Sequence, residues 1–169
     1  ALENLGRTED VQFSPDDSRL AIVGYNNNKI LLLDVKVKTV KGKILITCDD
    51  WLEITSPGFN HPHGLFWIDS STLIVANRGG EVPILKIPSE KPEGRIVDIT
   101  PMETIRHGRD LLRSPGSVSV SKIGQDLHDV LICNNYANSV SRHFLDERNG
   151  FAAQGSCRLL ANGLDVPDG

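Results

Sequence analysis

The chain has 169 residues, 39% of them apolar, and a net formal charge of −4 with no basic stripe. It is long enough for one domain with a real core, but it lacks the cationic surface that nucleic-acid binding requires. No apolar run approaches the roughly 20 residues of a membrane span, so neither a nucleic acid nor a membrane is an expected partner.

The first predicted strand follows Thr8-Glu9-Asp10 and alternates through Val11-Gln12-Phe13. Ser14-Pro15-Asp16-Asp17-Ser18 then places proline and aspartate where a type I turn uses them. A fully apolar second strand, Leu20-Ala21-Ile22-Val23, reads as buried on both faces. Turn formers Gly24 to Asn28 end it; a third strand spans Lys29 to Val35 and a more polar fourth spans Lys43 to Thr47. Asp49 to Ile54 is expected to form one helical turn.

The same order returns. Pro62-His63-Gly64 leads into Leu65-Phe66-Trp67, then a turn at Asp69-Ser70-Ser71, then Leu73-Ile74-Val75-Ala76. Asn77-Arg78-Gly79-Gly80 closes that strand; a third runs Val82 to Ile87 and a fourth Arg95 to Thr100, with a second helical turn expected at Thr104 to Leu112. Pro115-Gly116-Ser117 opens a third unit through Val118-Ser119-Val120, a longer turn from Lys122 to Asp129, and Val130-Leu131-Ile132-Cys133. Asn134 to Asn138 ends that strand, and strands at Ser139 to Leu145 and Arg158 to Ala161 complete the unit. A fourth start appears at Pro167-Asp168-Gly169.

Successive unit starts lie 54, 53 and 52 residues apart. Four antiparallel strands per roughly 50 residues is the pattern of a propeller blade. Short strands with regular turns also suit a β-sandwich, but the matched spacings and the repeated order of turn types favour the propeller. The expected fold is therefore all-β: a partial β-propeller of three four-stranded antiparallel blades, about 8–60, 61–113 and 114–166, with 167–169 starting a fourth. Three blades are too few to close a ring, since propellers have 4 to 8. Half of a six-bladed ring or part of a seven-bladed one is expected. The remaining blades would come from a missing part of the chain or from a second copy, as a homodimer. The chain opens at Ala1 in mid-register without a signal peptide. Cys48, Cys133 and Cys157 form no CxxC pair, and their odd number speaks against a disulfide framework. Packed thiols in a reducing, cytoplasmic compartment are expected.

In a blade the first strand lines the channel and the second lies beside it. Residues starting strand one and residues ending strand two therefore share the channel mouth. The strand-start set is Glu9, His63, Gly116 and Asp168; the strand-end set is Gly24, Asn77 and Asn134. Glu9, Asn77, Asn134 and Asp168 make an all-oxygen set of the kind Ca²⁺ prefers. Equally, the two asparagines suit strand-end caps and the two acids plain turn positions. His61-Pro62-His63-Gly64 offers a general base, His63, with His61 as its orienting partner, or simply a hydrogen-bonded turn. Arg78, Asn135 and His107 are candidate ligand-binding residues, and Arg142 a further candidate for an anionic ligand. No nucleophile elbow, phosphate-cradling loop or dinucleotide fingerprint is present.

Phe13-Ser14-Pro15-Asp16-Asp17 and its following apolar strand resemble repeats of the YVTN, NHL and lactonase-like propellers. The resemblance covers all three units and implies the fold. Pro62-His63-Gly64 and Val75-Ala76-Asn77 further resemble the paraoxonase and gluconolactonase group of six-bladed, calcium-dependent hydrolases. In that group an Asn-Asp pair binds calcium; here Asn134-Asn135 stands in its place, with Asn135 replacing the acid. Thr104-Ile105-Arg106-His107 echoes the same group. Two functions are expected: a non-catalytic propeller presenting its channel-mouth face to a protein or small-molecule ligand, or a calcium-dependent lactonase or esterase in which the metal polarises the carbonyl and His63 activates water.

Overall fold

The computed structural model describes residues 2–106, 110–161 and 163–168. Among the described residues the regular structure is β apart from three short 3-10 turns. The first sheet comprises β1 (Thr8–Phe13), β2 (Arg19–Gly24), β3 (Lys29–Val40) and β4 (Lys43–Thr55). The second begins with β5 (Pro62–Asp69), β6 (Thr72–Asn77) and β7 (Val82–Lys86). The chain then makes β8 (Ile96–Asp98) before β9 (Glu103–Ile105), and β9 is the fourth strand of that second sheet. The third sheet is β10 (Pro115–Lys122), β11 (Leu127–Asn134), β12 (Ser139–Asp146) and β13 (Ala152–Leu160). Three antiparallel four-stranded blades of a β-propeller result, each ordered inner to outer along the chain.

The blades stack through two apolar seams. Ala21, Val23, Ile30 and Leu32 of the first meet Leu65, Trp67, Leu73 and Val75 of the second. Ile74, Ala76 and Ile84 of the second meet Val118, Val130, Ile132 and Leu145 of the third. Successive residues of a strand point to opposite faces, so β6 feeds both seams and all six of its residues are buried. β11 has a neighbouring blade on one side only and alternates strictly between half-buried and buried positions. Burial on both faces, expected of every second strand, holds for the central blade alone.

Four local expectations are corrected. Ile96–Asp98, within the expected fourth strand Arg95 to Thr100, does not join its own blade. It adds as a fifth strand, parallel to β4, on the outer edge of the first blade. Glu53 N–H donates to Arg95 O at 2.8 Å and Ile99 N–H to Thr55 O at 2.9 Å. Lys91 reaches Asp34 and Asp50, and Arg95 reaches Asp50, fixing the strap to the blade it crosses. Asp49 to Ile54 is extended within β4, because pairing with β3 satisfies its backbone. Thr104 and Ile105 lie in β9, paired with Pro83 and Val82, not in a helical turn. The cysteines are free, but Cys48 and Cys157 are exposed, not packed.

Candidate functional site at the channel mouth

Every inner strand breaks register at its start: between Thr8 and Val11, between Pro62 and Gly64, and between Pro115 and Val118. A bulge re-aims the residue it carries; here it turns the side chains of Glu9 and His63, and Gly116 falls at the equivalent position. A second device recurs beside it. The N–H after each second strand bonds the carbonyl two residues before the strand-start position: Tyr25 to Arg7 at 2.8 Å, Arg78 to His61 at 2.9 Å, Asn135 to Ser114 at 3.1 Å. These equivalent bonds draw six residues from three blades to one rim.

The rim encloses a cleft of about 390 Å³ lined by these six residues, by His63, and by Gly79 and Tyr136. His61, His63, Arg78 and Asn135 thus meet in one place. Behind the rim, Glu9, His63, Gly116 and Asp168 line a second cavity of about 250 Å³ together with Asp10 and Gln12. His63 belongs to both. Gly116 leaves space between them: a Cβ there would displace the Asp168 carboxylate and crowd the Arg78 guanidinium.

A chain of charged contacts crosses the mouth. Arg7 Nε closes on Glu9 Oε1, and Glu9 Oε2 lies 3.4 Å from His63 Nε2. Arg78 Nη2 donates to His63 Nε2 at 3.0 Å and also to the Asp168 carboxylate. His63 Nδ1 lies 2.9 Å from Gly116 O. A carbonyl only accepts and a guanidinium only donates, so the network assigns the proton to Nδ1 and a lone pair to Nε2. The Arg78 side chain is 16% exposed while Asp168 is 51% exposed, so the carboxylate caps the guanidinium from the solvent side. The Arg7 guanidinium lies over the Tyr25 ring at 5.3 Å, and Tyr25 packs on His61 at 5.0 Å.

The strand-end residues do something else. Asn77 is fully buried; its Oδ1 accepts from Asn60 N–H at 3.2 Å and its Nδ2 donates to Gly58 O at 2.8 Å. Asn134 is equally buried, accepting from Arg113 N–H at 3.1 Å and donating to Ile132 O and Ser141 Oγ. Glu9 and Asp168 already face guanidinium groups. The Asn77 and Asn134 oxygens expected to hold Ca²⁺ are therefore engaged by N–H donors and turned inward, while the two carboxylates face guanidinium groups, so the four do not offer a cation one shared set of free oxygens. Among the described residues no three His, Cys, Asp or Glu side chains gather as a metal set. His107 lies outside the described residues. Arg142 binds Asp129 through two N–H groups and stacks on Phe144, apart from the cleft.

Arg7, Tyr25, Ser114 and Tyr136 line the cleft without having been singled out by the repeat. The signal that finds most of them is an offset of the same alignment. Positions one past the strand ends are Tyr25, Arg78 and Asn135; positions two before the strand starts are Arg7, His61 and Ser114.

Fold and rim together define a β-propeller fragment with a cleft at its channel mouth. No family model matches the chain, and no curated protein matches it. Among solved structures, it is similar to a protein of unknown function from Desulfotomaculum acetoxidans (18% identity, TM-score 0.65, 95% of this chain and 44% of that one). It is also similar to a candidate 6-phosphogluconolactonase from Bacteroides fragilis (16% identity, TM-score 0.64, 96% of this chain and 44% of that one). A third likeness is to the periplasmic gluconolactonase PpgL of Pseudomonas aeruginosa (14% identity, TM-score 0.54, 95% of this chain and 43% of that one). The chain spans less than half the length of each of these structures.

Proposed function

We propose that the chain supplies the ligand-binding sector of a larger propeller, completed by further blades, whose mouth cleft takes a small, hydroxyl-rich organic anion. The observation that carries this reading is the convergence of two guanidinium groups, Arg7 and Arg78, two imidazoles and two phenols on one cleft of about 390 Å³. Arginine suits carboxylate and phosphate oxygens, and phenols and the Asn135 amide suit hydroxyls. A cleft of this size falls in the range of small-ligand sites. Asp168 holds the place an incoming anion would take on Arg78.

Titration calorimetry with gluconate, 6-phosphogluconate and neutral glucose tests it. The two anions are expected to bind and glucose is not, and Arg78→Gln is expected to weaken the anions at least about tenfold, the cost of one charge-assisted pair. Equal affinity for glucose, or an unchanged Arg78→Gln variant, overturns the proposal.

Lactone hydrolysis is the second reading, favoured by the lone pair on His63 Nε2 at the cleft. With Arg78 turned from Nε2 to the substrate, water would give its proton to Nε2 while its oxygen adds to the lactone carbonyl. The ring oxygen, leaving as an alkoxide, would take that proton back. The fold shared with a gluconolactonase and a candidate 6-phosphogluconolactonase supports this reading. His63→Gln is then expected to keep gluconate binding and lose turnover of glucono-δ-lactone above the spontaneous rate. Wild-type protein that never exceeds the spontaneous rate leaves binding alone.

A further inference from the structure

β3 and β4 are about twice as long as the other strands of their blade, and their outer halves leave the propeller body. From Lys36 to Asp49 every residue is exposed. The two strands pair from Lys36 with Thr47 to Val40 with Lys43, and Lys41 and Gly42 close them with positive φ angles of 50° and 76°. That is the two-residue turn whose twist matches a hairpin. β2 pairs with β3 only as far as Asp34, and β8 pairs with β4 only at Glu53–Thr55. The projecting ribbon therefore has both edges open.

Its two faces differ. Cross-strand partners share a face. Val37 with Ile46, and Thr39 with Ile44, form one face that continues Val35 and Cys48. Lys36, Lys38 and Lys43 lie on the other with Leu45 and Val40. Ile44 is 73% exposed, Ile46 51%, Leu45 50% and Val40 49%. Four lysines fall between residues 36 and 43, in a chain whose net charge is −4. Only Lys36 among them has a carboxylate partner among the described residues, Asp49. A two-stranded ribbon with bare aliphatic side chains is marginal in water and calls for a covering surface.

We propose that this ribbon docks the protein peripherally on an anionic lipid surface. Aliphatic side chains on one face and at the tip enter the headgroup boundary, while lysines ring them and meet anionic headgroups. The open edges set the depth: unpaired N–H and C=O groups cannot enter hydrocarbon, but the boundary retains water. This is contact with a surface, not a crossing; among the described residues no helix is long and apolar enough to span. A protein partner fits less well, since residues 36–49 contain no Trp, Tyr, Arg or Met anchor, and lysine is depleted at protein interfaces. A second copy pairing edge to edge would set lysine rows against each other. The ribbon is formed by outer strands and shares no residue with the mouth cleft, so the proposal is independent of the ligand.

Vesicle flotation tests it, with phosphatidylcholine alone and with added phosphatidylserine. The protein is expected to float with the mixed vesicles only, and less at high salt. Ile44→Ser with Ile46→Ser is expected to reduce floated protein at least about tenfold. Replacing Lys38, Lys41 and Lys43 by glutamine is expected to remove the preference for phosphatidylserine. Both variants should melt with the wild type, since no core residue changes. Absence of flotation, or flotation unaffected by either variant, overturns the proposal. So does a concentration-dependent dimer in sedimentation that the serine variant abolishes, which would assign the face to a second copy.

Discussion

Gly64→Ala tests whether the blades meet as closely as the channel requires. A Cβ on Gly64 would lie 2.5 Å from Gly116 O and 2.7 Å from Ser117 Cα, both backbone atoms of the neighbouring inner strand. Ordinary contact needs about 3.5 Å, so β5 and β10 must part by about 1 Å, and neither obstacle is a flexible side chain that can swing away. Overpacking of this kind costs about 1–3 kcal/mol. In a chain of this size each kcal/mol lowers the melting temperature by about 2–4 °C, so a fall of about 4–8 °C is expected for a cost near 2 kcal/mol. The displaced carbonyl is also the acceptor for His63 Nδ1–H at 2.9 Å, so the imidazole loses the contact that orients it. Gly94→Ala is the control: nothing lies within 4 Å of its Cβ and its φ is not positive, so it should melt within about 1 °C of the wild type. Thermal unfolding followed by circular dichroism reads both. A Gly64→Ala protein that melts with the Gly94→Ala control would refute the close approach of the two strands.

Asp10→Ala removes the carboxylate that accepts from Leu65 N–H at 2.9 Å across the first inter-blade gap; leaving that donor unpaired should cost about 1–3 kcal/mol, read as a lower urea midpoint with an unchanged slope, while Asp10→Asn keeps an acceptor and should lose less. Asp16 accepts from the Ser14 and Ser18 hydroxyls, which lower its pKa to about 2. Because the folded-state value is depressed, the stabilisation is complete above about pH 4 and disappears as pH falls through about 2. Asp16→Asn should therefore cost about 1 kcal/mol at pH 7, after discounting for exposure, with the gap to wild type closing in denaturant titrations toward pH 2.

The blade repeat was legible because its signals are local. Pro15-Asp16 and Asp69-Ser70-Ser71 mark turns by their own chemistry, and an uninterrupted apolar run such as Leu73 to Ala76 marks a strand covered on both faces. The strand-start set was legible from the repeat itself: Glu9, His63 and Gly116 fall at one position, where a bulge aims the two side chains. At the strand ends two readings were open, a cap and a cation ligand. Asn77 and Asn134 turn inward to cap the N–H groups of Asn60 and Arg113, which leaves Arg78 and Asn135 to face the cleft. Capping partners 17 and 21 residues away leave no local mark. The strap at Ile96–Asp98 was hidden likewise. Its polar alternation suits any outer strand, and the choice of blade rests on pairing with Glu53–Thr55 and on Lys91 and Arg95 finding Asp34 and Asp50.

Equivalent positions of a repeat become neighbours around the axis, so chemistry at the mouth arises only where those positions diverge. Glu9, His63, Gly116 and Asp168 occupy one position in successive units, and their contacts depend on the four being different. Gly116 leaves room for Asp168 and Arg78, and its carbonyl fixes the Nδ1 proton of His63. Arg78 and Glu9 then compete for Nε2: the guanidinium requires a lone pair there, the carboxylate requires a proton. At neutral pH the ring ¹⁵N shifts of His63 should show a protonated Nδ1 and a bare Nε2, with Arg78 in place. Glu9→Gln should leave this tautomer unchanged, since the Gly116 carbonyl and the Arg78 guanidinium assign it. A bare Nδ1 at neutral pH would mean that Gly116 O does not orient the ring, and would remove the basis for placing the Nε2 lone pair at the cleft.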